Sequence, residues 1–174
     1  MSESIRVLLP EEELAKRIAE LGDQISKDYE GETVFLVCIL KGAAFFATEL
    51  AKRITVPVII DFMATSSYGA GTVSTGEVKI KKELDLDPEG QNVIIVEDII
   101  DSGNTLHFLS KYFQDRNAKS VKLCTMLDKP DRREVDVPVD YTGFTIPDQF
   151  VVGYGLDFDQ KYRNLPYIGV VEFE

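Results

Sequence analysis

Several residue types and patterns are scarce in this chain of 174 residues, and each absence excludes a class of protein. Tryptophan is missing, and one histidine with two cysteines gives none of the paired spacings typical of a zinc site. Apolar runs such as residues 34–40 are far shorter than the ~20 residues that cross a bilayer. The N-terminus also lacks the basic and apolar segments of a secretory signal. We therefore expect a cytoplasmic protein without a membrane span.

Cysteine and basic residues carry further information because there are so few of them. Cys38 and Cys124 each lie inside an apolar run, which favours buried free thiols over a disulfide and suits a reducing compartment. The chain has 19 basic and 30 acidic residues, a net charge of −11. Because nucleic-acid binding requires a basic face, we expect no nucleic-acid partner. A local basic pocket for a small anion, or a divalent-cation site, remains compatible with this charge.

Apolar residues make up 44% of the chain, and their pattern predicts an α/β fold. After Pro10, apolar positions recur at helical spacing and stop before Gly31, which is typical of an amphipathic helix. Four apolar runs read as buried strands, at 33–40, 56–63, 92–96 and 120–127, with helices predicted at about 43–53 and 106–113. Such alternation indicates a mainly parallel, twisted sheet with helices on both faces, and the length fits one domain, residues 1–174. From residue 128 onward we expect irregular structure and short strands beside the sheet.

Candidate ligand-binding residues follow the predicted strands. Ligands of open parallel sheets bind beyond the carboxyl ends of the strands. Lys41, Asp98 and Lys129 each come just after such an end, so we expect them to converge. The segment 65–79, "TSSYGAGTVSTGEVK", is rich in Ser, Thr and Gly and too long for a routine turn. This composition predicts a mobile functional loop.

The stretch "VIIVEDIIDSGNTL", residues 93–106, combines two features that rarely occur together. A helix is predicted after the loop, and its N-terminal amides, with Ser102 and Thr105, suit a phosphate. The same loop nevertheless carries Glu97, Asp98 and Asp101. Carboxylates accept hydrogen bonds from sugar hydroxyls and also bind magnesium. A ribose 5-phosphate satisfies both halves, although neither standard nucleotide fingerprint, G-x-G-x-x-G or G-x-x-x-x-G-K-[ST], is present.

This stretch resembles the phosphoribosyl diphosphate (PRPP) motif of the type I phosphoribosyltransferases. The segments "LKGAAFF", "DFMATSSYGAGTVSTGEVKI", "TMLDKPDRR" and "GFTIPDQFVVGYGLDFDQKYRNLPYIG" are similar to further signatures of the hypoxanthine-guanine phosphoribosyltransferases, in a short form typical of bacteria. The resemblance implies the type I phosphoribosyltransferase fold with a small hood built from the chain ends and the C-terminal third. It also implies purine salvage, in which PRPP and hypoxanthine, and guanine as well, give the nucleoside monophosphate and pyrophosphate.

The resemblance also assigns roles to individual residues. Asp101 would be the catalytic residue that handles the proton on N7 of the purine. The ribose and its 5-phosphate would be bound by Glu97, Asp98, Asp101, Ser102, Gly103, Asn104 and Thr105. Pyrophosphate would contact Lys41, Gly42, Ser67, Tyr68 and Arg163, and the purine would contact Lys129, Phe150, Val151 and Asp157. Mg²⁺ would be held by Glu97, Asp98 and Asp157, and the family forms homodimers or homotetramers. The family often has a non-proline cis peptide before the lysine at position 41.

Each assignment has a structural alternative. Asp101 could cap the helix, which is a common role for Asp, and Glu97 with Asp98 could be solvated acids. Lys41 and Gly42 fit an ordinary turn, Lys129 an exposed turn, and Phe150 the core. The single histidine, His107, has no indicated partner, so we expect it to be structural or on the surface, and Asp159 is also expected on the surface.

One position departs from the family pattern, and two other functions compete. Asn104 stands where some relatives have lysine, so the 5-phosphate would depend on backbone amides and on Ser102, Asn104 and Thr105. A magnesium-dependent phosphatase could use the acid cluster, although its usual Asp-x-Asp-x-Thr spacing is absent. A regulator that senses PRPP and binds RNA or DNA is the other alternative, and the acidic charge and the intact Asp101 count against it.

Overall fold

In the computed structural model, which describes residues 2–67 and 78–174, strands and helices alternate along most of the chain. The elements are, in chain order, β1 (Glu3–Leu9), α1 (Glu11–Asp28), β2 (Val34–Leu40), α2 (Ala44–Ala51), β3 (Val58–Ser67), β4 (Val78–Lys82), β5 (Asn92–Ile100), α3 (Asn104–Asp115), β6 (Ser120–Asp128), β7 (Tyr141–Thr145), β8 (Val151–Val152) and β9 (Ile168–Phe173). All of the predicted strands and helices are present. β5 continues four residues past its apolar run, so its end includes the acidic pair.

The first helix illustrates how local sequence defines an element. Pro10 precedes α1 in an extended conformation, and acidic residues fill the first turn while Lys27 lies in the last. This charge order complements the helix dipole. The apolar stripe is buried, as its spacing predicted: Leu14, Ile18, Leu21 and Ile25. Among the described helices, none combines the length and the apolar character that a membrane crossing requires.

The main sheet has six strands in the order β4-β3-β2-β5-β6-β7. Five of them are mutually parallel, and β4 joins the edge antiparallel to β3. The prediction of a mainly parallel sheet is therefore confirmed. β4, whose sequence is VKIKK, was not predicted because its lysines give it the appearance of a loop. Short, charged edge strands of this kind discourage pairing with other chains.

Helices cover the two faces of this sheet. Leu36 and Cys38 of β2 pack with α1 and α2, whereas Phe35, Val37 and Ile39 pack with α3. Because both faces are buried, β2 and residues 93–96 of β5 are apolar at every position rather than at alternate ones. The two cysteines are free and buried, as predicted.

A second, three-stranded antiparallel sheet in the order β1-β9-β8 joins the two ends of the chain. This is the predicted hood, although the sequence analysis did not identify β1 as a strand. The segment between β8 and β9 returns to the main sheet. There Gly155, with φ +102°, packs so closely on the Gly42 carbonyl that any side chain would overlap it. The hood thereby reaches the carboxyl ends of the parallel strands.

Candidate active site

The candidate site lies where the carboxyl ends of three neighbouring strands of the main sheet meet. Lys41 follows β2, Asp98 lies near the end of β5, and Lys129 follows β6. The Lys129 amide donates to the Ile100 carbonyl over 3.0 Å, and a Cβ atom at Gly42 would overlap the Asp98 carboxylate. The predicted convergence of these residues is confirmed.

The acidic pair at the end of β5 is partly buried rather than fully solvated. Burial, followed by the Asp98 charge, raises the pKa of Glu97 well above its usual range. Burial likewise raises the pKa of Asp98 to about 6, even though the Ile99 amide donates to it over 2.7 Å and the Arg163 charge favours its ionised form. Two carboxylates that resist ionisation create a demand for hydroxyl donors or a cation.

A cavity of about 240 Å³ connects this pair to the N-terminus of α3. Its lining consists of Glu97, Asp98, Ile99, Ile100, Asp101, Ser102, Gly103, Thr105 and Leu106. Gly103 is the N-cap residue directly before α3, with φ +89°, and no side chain makes a capping hydrogen bond there. The capping role considered for Asp101 is therefore wrong. The backbone N–H of Asn104 donates to Ser102 Oγ over 3.2 Å. Helix dipole and hydroxyls therefore face one end of the cavity, and the acids face the other.

Arg133 and Glu134, which sequence reasoning missed, support the loop before α3. Arg133 Nε donates to the Asp101 carbonyl over 3.1 Å, and its guanidinium pairs with the Asp128 carboxylate. The side-chain amide of Asn104 donates to Glu134 Oε2 over 3.2 Å, so this side chain already has a carboxylate partner. The only available signal was the cluster of charges after Lys129.

Lys129 and Phe150 lie on the side toward the hood. Lys129 is only 9% exposed, so the alternative of an exposed turn is wrong. Its Nζ lies 4.0 Å from Asp101 Oδ1 and 4.0 Å from Asp148 Oδ1. Phe150 is 49% exposed and meets the edge of Phe158 at 5.6 Å between ring centroids, so it is not a core residue. Val151 is buried in β8, paired with β9.

Two cationic side chains, Lys41 and Arg163, meet at a shared acceptor in the segment between β8 and β9. Lys41 Nζ and an Arg163 nitrogen both donate to Gln160 Oε1, over 3.4 Å and 3.3 Å. Arg163 also lies 3.4 Å from Asp157 Oδ1, which places Asp157 with the predicted pyrophosphate residues. Gln160 was missed by sequence reasoning because nothing distinguishes it within its loop. The Leu40–Lys41 peptide is cis, as the resemblance implied.

The remaining predicted residues are less informative. Ser67 is the last residue of β3. Tyr68, like most of the predicted functional loop at 65–79, lies outside the described residues. His107 and Asp159 are exposed, as expected.

The acidic residues can be compared with what magnesium requires. Within residues 2–67 and 78–174, no group of three His, Cys, Asp or Glu residues is close enough to hold an ion by itself. Glu97 and Asp98 supply two adjacent carboxylates whose pKa values are raised. Mg²⁺ typically binds one or two carboxylates together with waters and substrate phosphates. The pair fits magnesium that binds together with a phosphorylated ligand.

Comparisons with known proteins agree with this geometry. Residues 5–159 match the model of the phosphoribosyl transferase domain. The chain is 51% identical to a hypoxanthine-guanine phosphoribosyltransferase of Streptococcus thermophilus, over 97% of this chain and 94% of that protein. It is 52% identical to a hypoxanthine phosphoribosyltransferase of Salmonella typhimurium, over 98% and 97% of the two chains.

Solved structures give the same result. A crystal structure of a hypoxanthine-guanine phosphoribosyltransferase from Bacillus anthracis superposes with a TM-score of 0.92, at 47% identity, over 98% of this chain and 100% of that one. A hypoxanthine phosphoribosyltransferase from Staphylococcus aureus gives a TM-score of 0.93 at 49% identity, over 96% and 91%. The predicted type I phosphoribosyltransferase fold is confirmed. The chain belongs to the phosphoribosyltransferase family, among the relatives of the hypoxanthine phosphoribosyltransferases.

Proposed function

We propose that the protein transfers the 5-phosphoribosyl group of PRPP to hypoxanthine, and also to guanine, to give the nucleoside monophosphate and pyrophosphate. The observation that carries this proposal is the continuous cavity that joins the acidic pair to the N-terminus of α3. Relatives that are about half identical over nearly the whole chain carry the same activity in their names. We also propose that residues 1–174 act as one domain in the cytoplasm, where the two buried thiols stay reduced.

PRPP would lie along the cavity. The amides of residues 103–105, with the hydroxyls of Ser102 and Thr105, would bind the 5-phosphate at the helix end. Glu97 and Asp98 would accept hydrogen bonds from the ribose hydroxyls. The diphosphate would then meet the cations Lys41 and Arg163, which already share an acceptor oxygen in Gln160.

The purine would occupy the side toward the hood. Lys129 would donate to O6, because an ammonium group has no acceptor and favours a carbonyl over the amino group of adenine. Phe150, which is half exposed, would stack on the ring. Val151 would present backbone groups to the base edge, with Asp157 as a further contact.

The reaction separates charge. As N9 attacks C1 and the bond to the diphosphate breaks, positive charge grows on the sugar and negative charge on the leaving group. Lys41 and Arg163 would stabilise the leaving group, and Asp101 would take the proton from N7. Glu97 and Asp98, the two adjacent carboxylates, would hold Mg²⁺, which neutralises diphosphate charge when it is bound.

Product analysis tests the proposal. The protein, hypoxanthine, PRPP and Mg²⁺ are expected to give inosine monophosphate and pyrophosphate, and Asp101→Asn should reduce turnover far more than PRPP binding. Release of free phosphate from nucleoside monophosphates without PRPP would instead indicate a phosphatase. Tight RNA binding in a low-salt gel shift, without turnover, would indicate a regulator.

The assembly state is a separate part of the proposal. We propose a homodimer or homotetramer, because apolar side chains such as Phe45 and Phe173 are 44% and 50% exposed. Light scattering after size exclusion measures the mass directly, and a monomer at micromolar concentration would contradict this proposal.

A further inference from the structure

Asp148 lies between β7 and β8 and has no role in the mechanism above. We propose that Asp148 is a positioning residue that holds the Lys129 ammonium in the purine pocket and thereby sets the preference for 6-oxopurines. This inference rests on the proposed function, because it assumes that Lys129 faces the purine.

The burial of Lys129 gives the first reason. Its side chain is 11% exposed, and a buried ammonium requires a compensating charge. Two carboxylates face it, Asp101 Oδ1 and Asp148 Oδ1, each 4.0 Å from Nζ. Both separations exceed the ~2.7–3.2 Å of a direct hydrogen bond. The ammonium is therefore attracted by both carboxylates while its protons stay available for a ligand.

The role of Asp101 gives the second reason. With one carboxylate alone, the ammonium would move into direct contact with Asp101, which must remain free to accept the purine proton. Asp148 attracts the same ammonium over the same distance of 4.0 Å. Lys129 is thus shared by the two acids and is in direct contact with neither.

The position of Asp148 in the chain gives the third reason. It precedes Phe150 by two residues, and its segment is fixed to the last residue of β6, directly before Lys129, because the Ile146 amide donates to the Asp128 carbonyl over 2.9 Å. Arg132 lies 3.7 Å from the other Asp148 oxygen. The contact between Asp148 and Lys129 therefore connects the proposed contact to purine O6 with the segment that carries Phe150.

Asp148→Asn, which keeps the shape and removes the charge, tests this inference in two measurements. Calorimetry should show that the unaltered protein binds inosine monophosphate better than adenosine monophosphate, and that the variant loses about tenfold in affinity for the former, a typical effect of one lost charge-assisted contact. In turnover, KM for hypoxanthine should rise by a similar factor while KM for PRPP changes less than about twofold. Asp131→Asn, the same charge change on an exposed acid beside Lys129, is the matched control.

A double-mutant cycle separates positioning from a general structural effect. In a Lys129→Ala background, Asp148→Asn should change affinity for inosine monophosphate by less than about twofold. A full tenfold loss in that background, or an unchanged preference in the single variant, would overturn the inference. Binding without turnover in the unaltered protein would refute the proposed reaction alone, since the calorimetry would still decide the role of Asp148. If the unaltered protein does not distinguish the two nucleotides, both proposals fail.

Discussion

The acidic pair that ends β5 should destabilise the protein when no ligand is bound, so Asp98→Asn is expected to make it more stable. The native fold raises the pKa of this carboxyl from 3.8 to about 6, mainly through burial. At 1.36 kcal/mol for each pH unit, that difference corresponds to at most about 3 kcal/mol. Because Asp98 is only partly buried, water screens part of it, and we expect about 1–2 kcal/mol.

The pH dependence of this effect has a defined sign. Between pH 3.8 and about 6 the folded protein binds a proton at Asp98 that the unfolded chain has already released. Unfolding is therefore favoured as the pH rises through this window, and the full penalty is present above it. The stabilisation by Asp98→Asn should be greatest near pH 8 and nearly absent near pH 4.

Urea unfolding of both proteins at these two pH values measures the effect. Asparagine keeps an oxygen that can accept from the Ile99 amide, so this hydrogen bond is expected to persist. Glu89→Gln, on an exposed loop, is the control for removing one negative charge from a chain with a net charge of −11 and should change stability by less than about 0.5 kcal/mol. Equal or lower stability of Asp98→Asn near pH 8, or a gain that persists near pH 4, would refute the reasoning.

Three further substitutions test the supports of the site. Gly42→Ala should raise KM for PRPP at least tenfold in steady-state assays, because its Cβ would displace the Asp98 carboxylate; an unchanged KM would contradict that contact. Arg133→Lys should lower kcat about tenfold with little loss of thermal stability, since lysine cannot bind the Asp101 carbonyl and a carboxylate through separate nitrogens. Gln160→Ala should shift pyrophosphate inhibition about two- to fivefold and leave KM for hypoxanthine unchanged, and a change in both would argue against a local effect.

The parts of the fold that the sequence could predict are those that are buried on both sides. β2 and residues 93–96 of β5 are apolar at every position because helices cover both faces, so they were recognised. β1 and β4 were missed because they lie at sheet edges and contain only half-buried and exposed residues, so neither has a continuous apolar run of that kind. Their pairing depends on partners far along the chain, as when β1 pairs with β9.

The site could be predicted in the same partial way. The residues between Glu97 and Thr105 form one continuous stretch, so a local motif predicts both their proximity and the helix that follows. Gln160 and Asp148 act across loops, and an exposed loop residue looks the same in sequence whether it faces solvent or a cation. Only the packing of the hood on the Gly42 turn brings Gln160 to Lys41 and Arg163.

The charges of the cavity favour one type of ligand over simpler ones. A free phosphate would gain from the α3 N-terminus but would add negative charge beside Glu97 and Asp98, whose pKa values are already raised, mainly by burial. A neutral sugar would satisfy the acids and gain nothing from the helix. In the proposed binding mode, a pentose that carries a phosphate at one end and a diphosphate at the other would place its hydroxyls on the acids, and its charges on the helix and on Lys41 with Arg163. Because the favourable contacts require all three groups at fixed spacing, the same arrangement that lowers stability without ligand provides selectivity for PRPP.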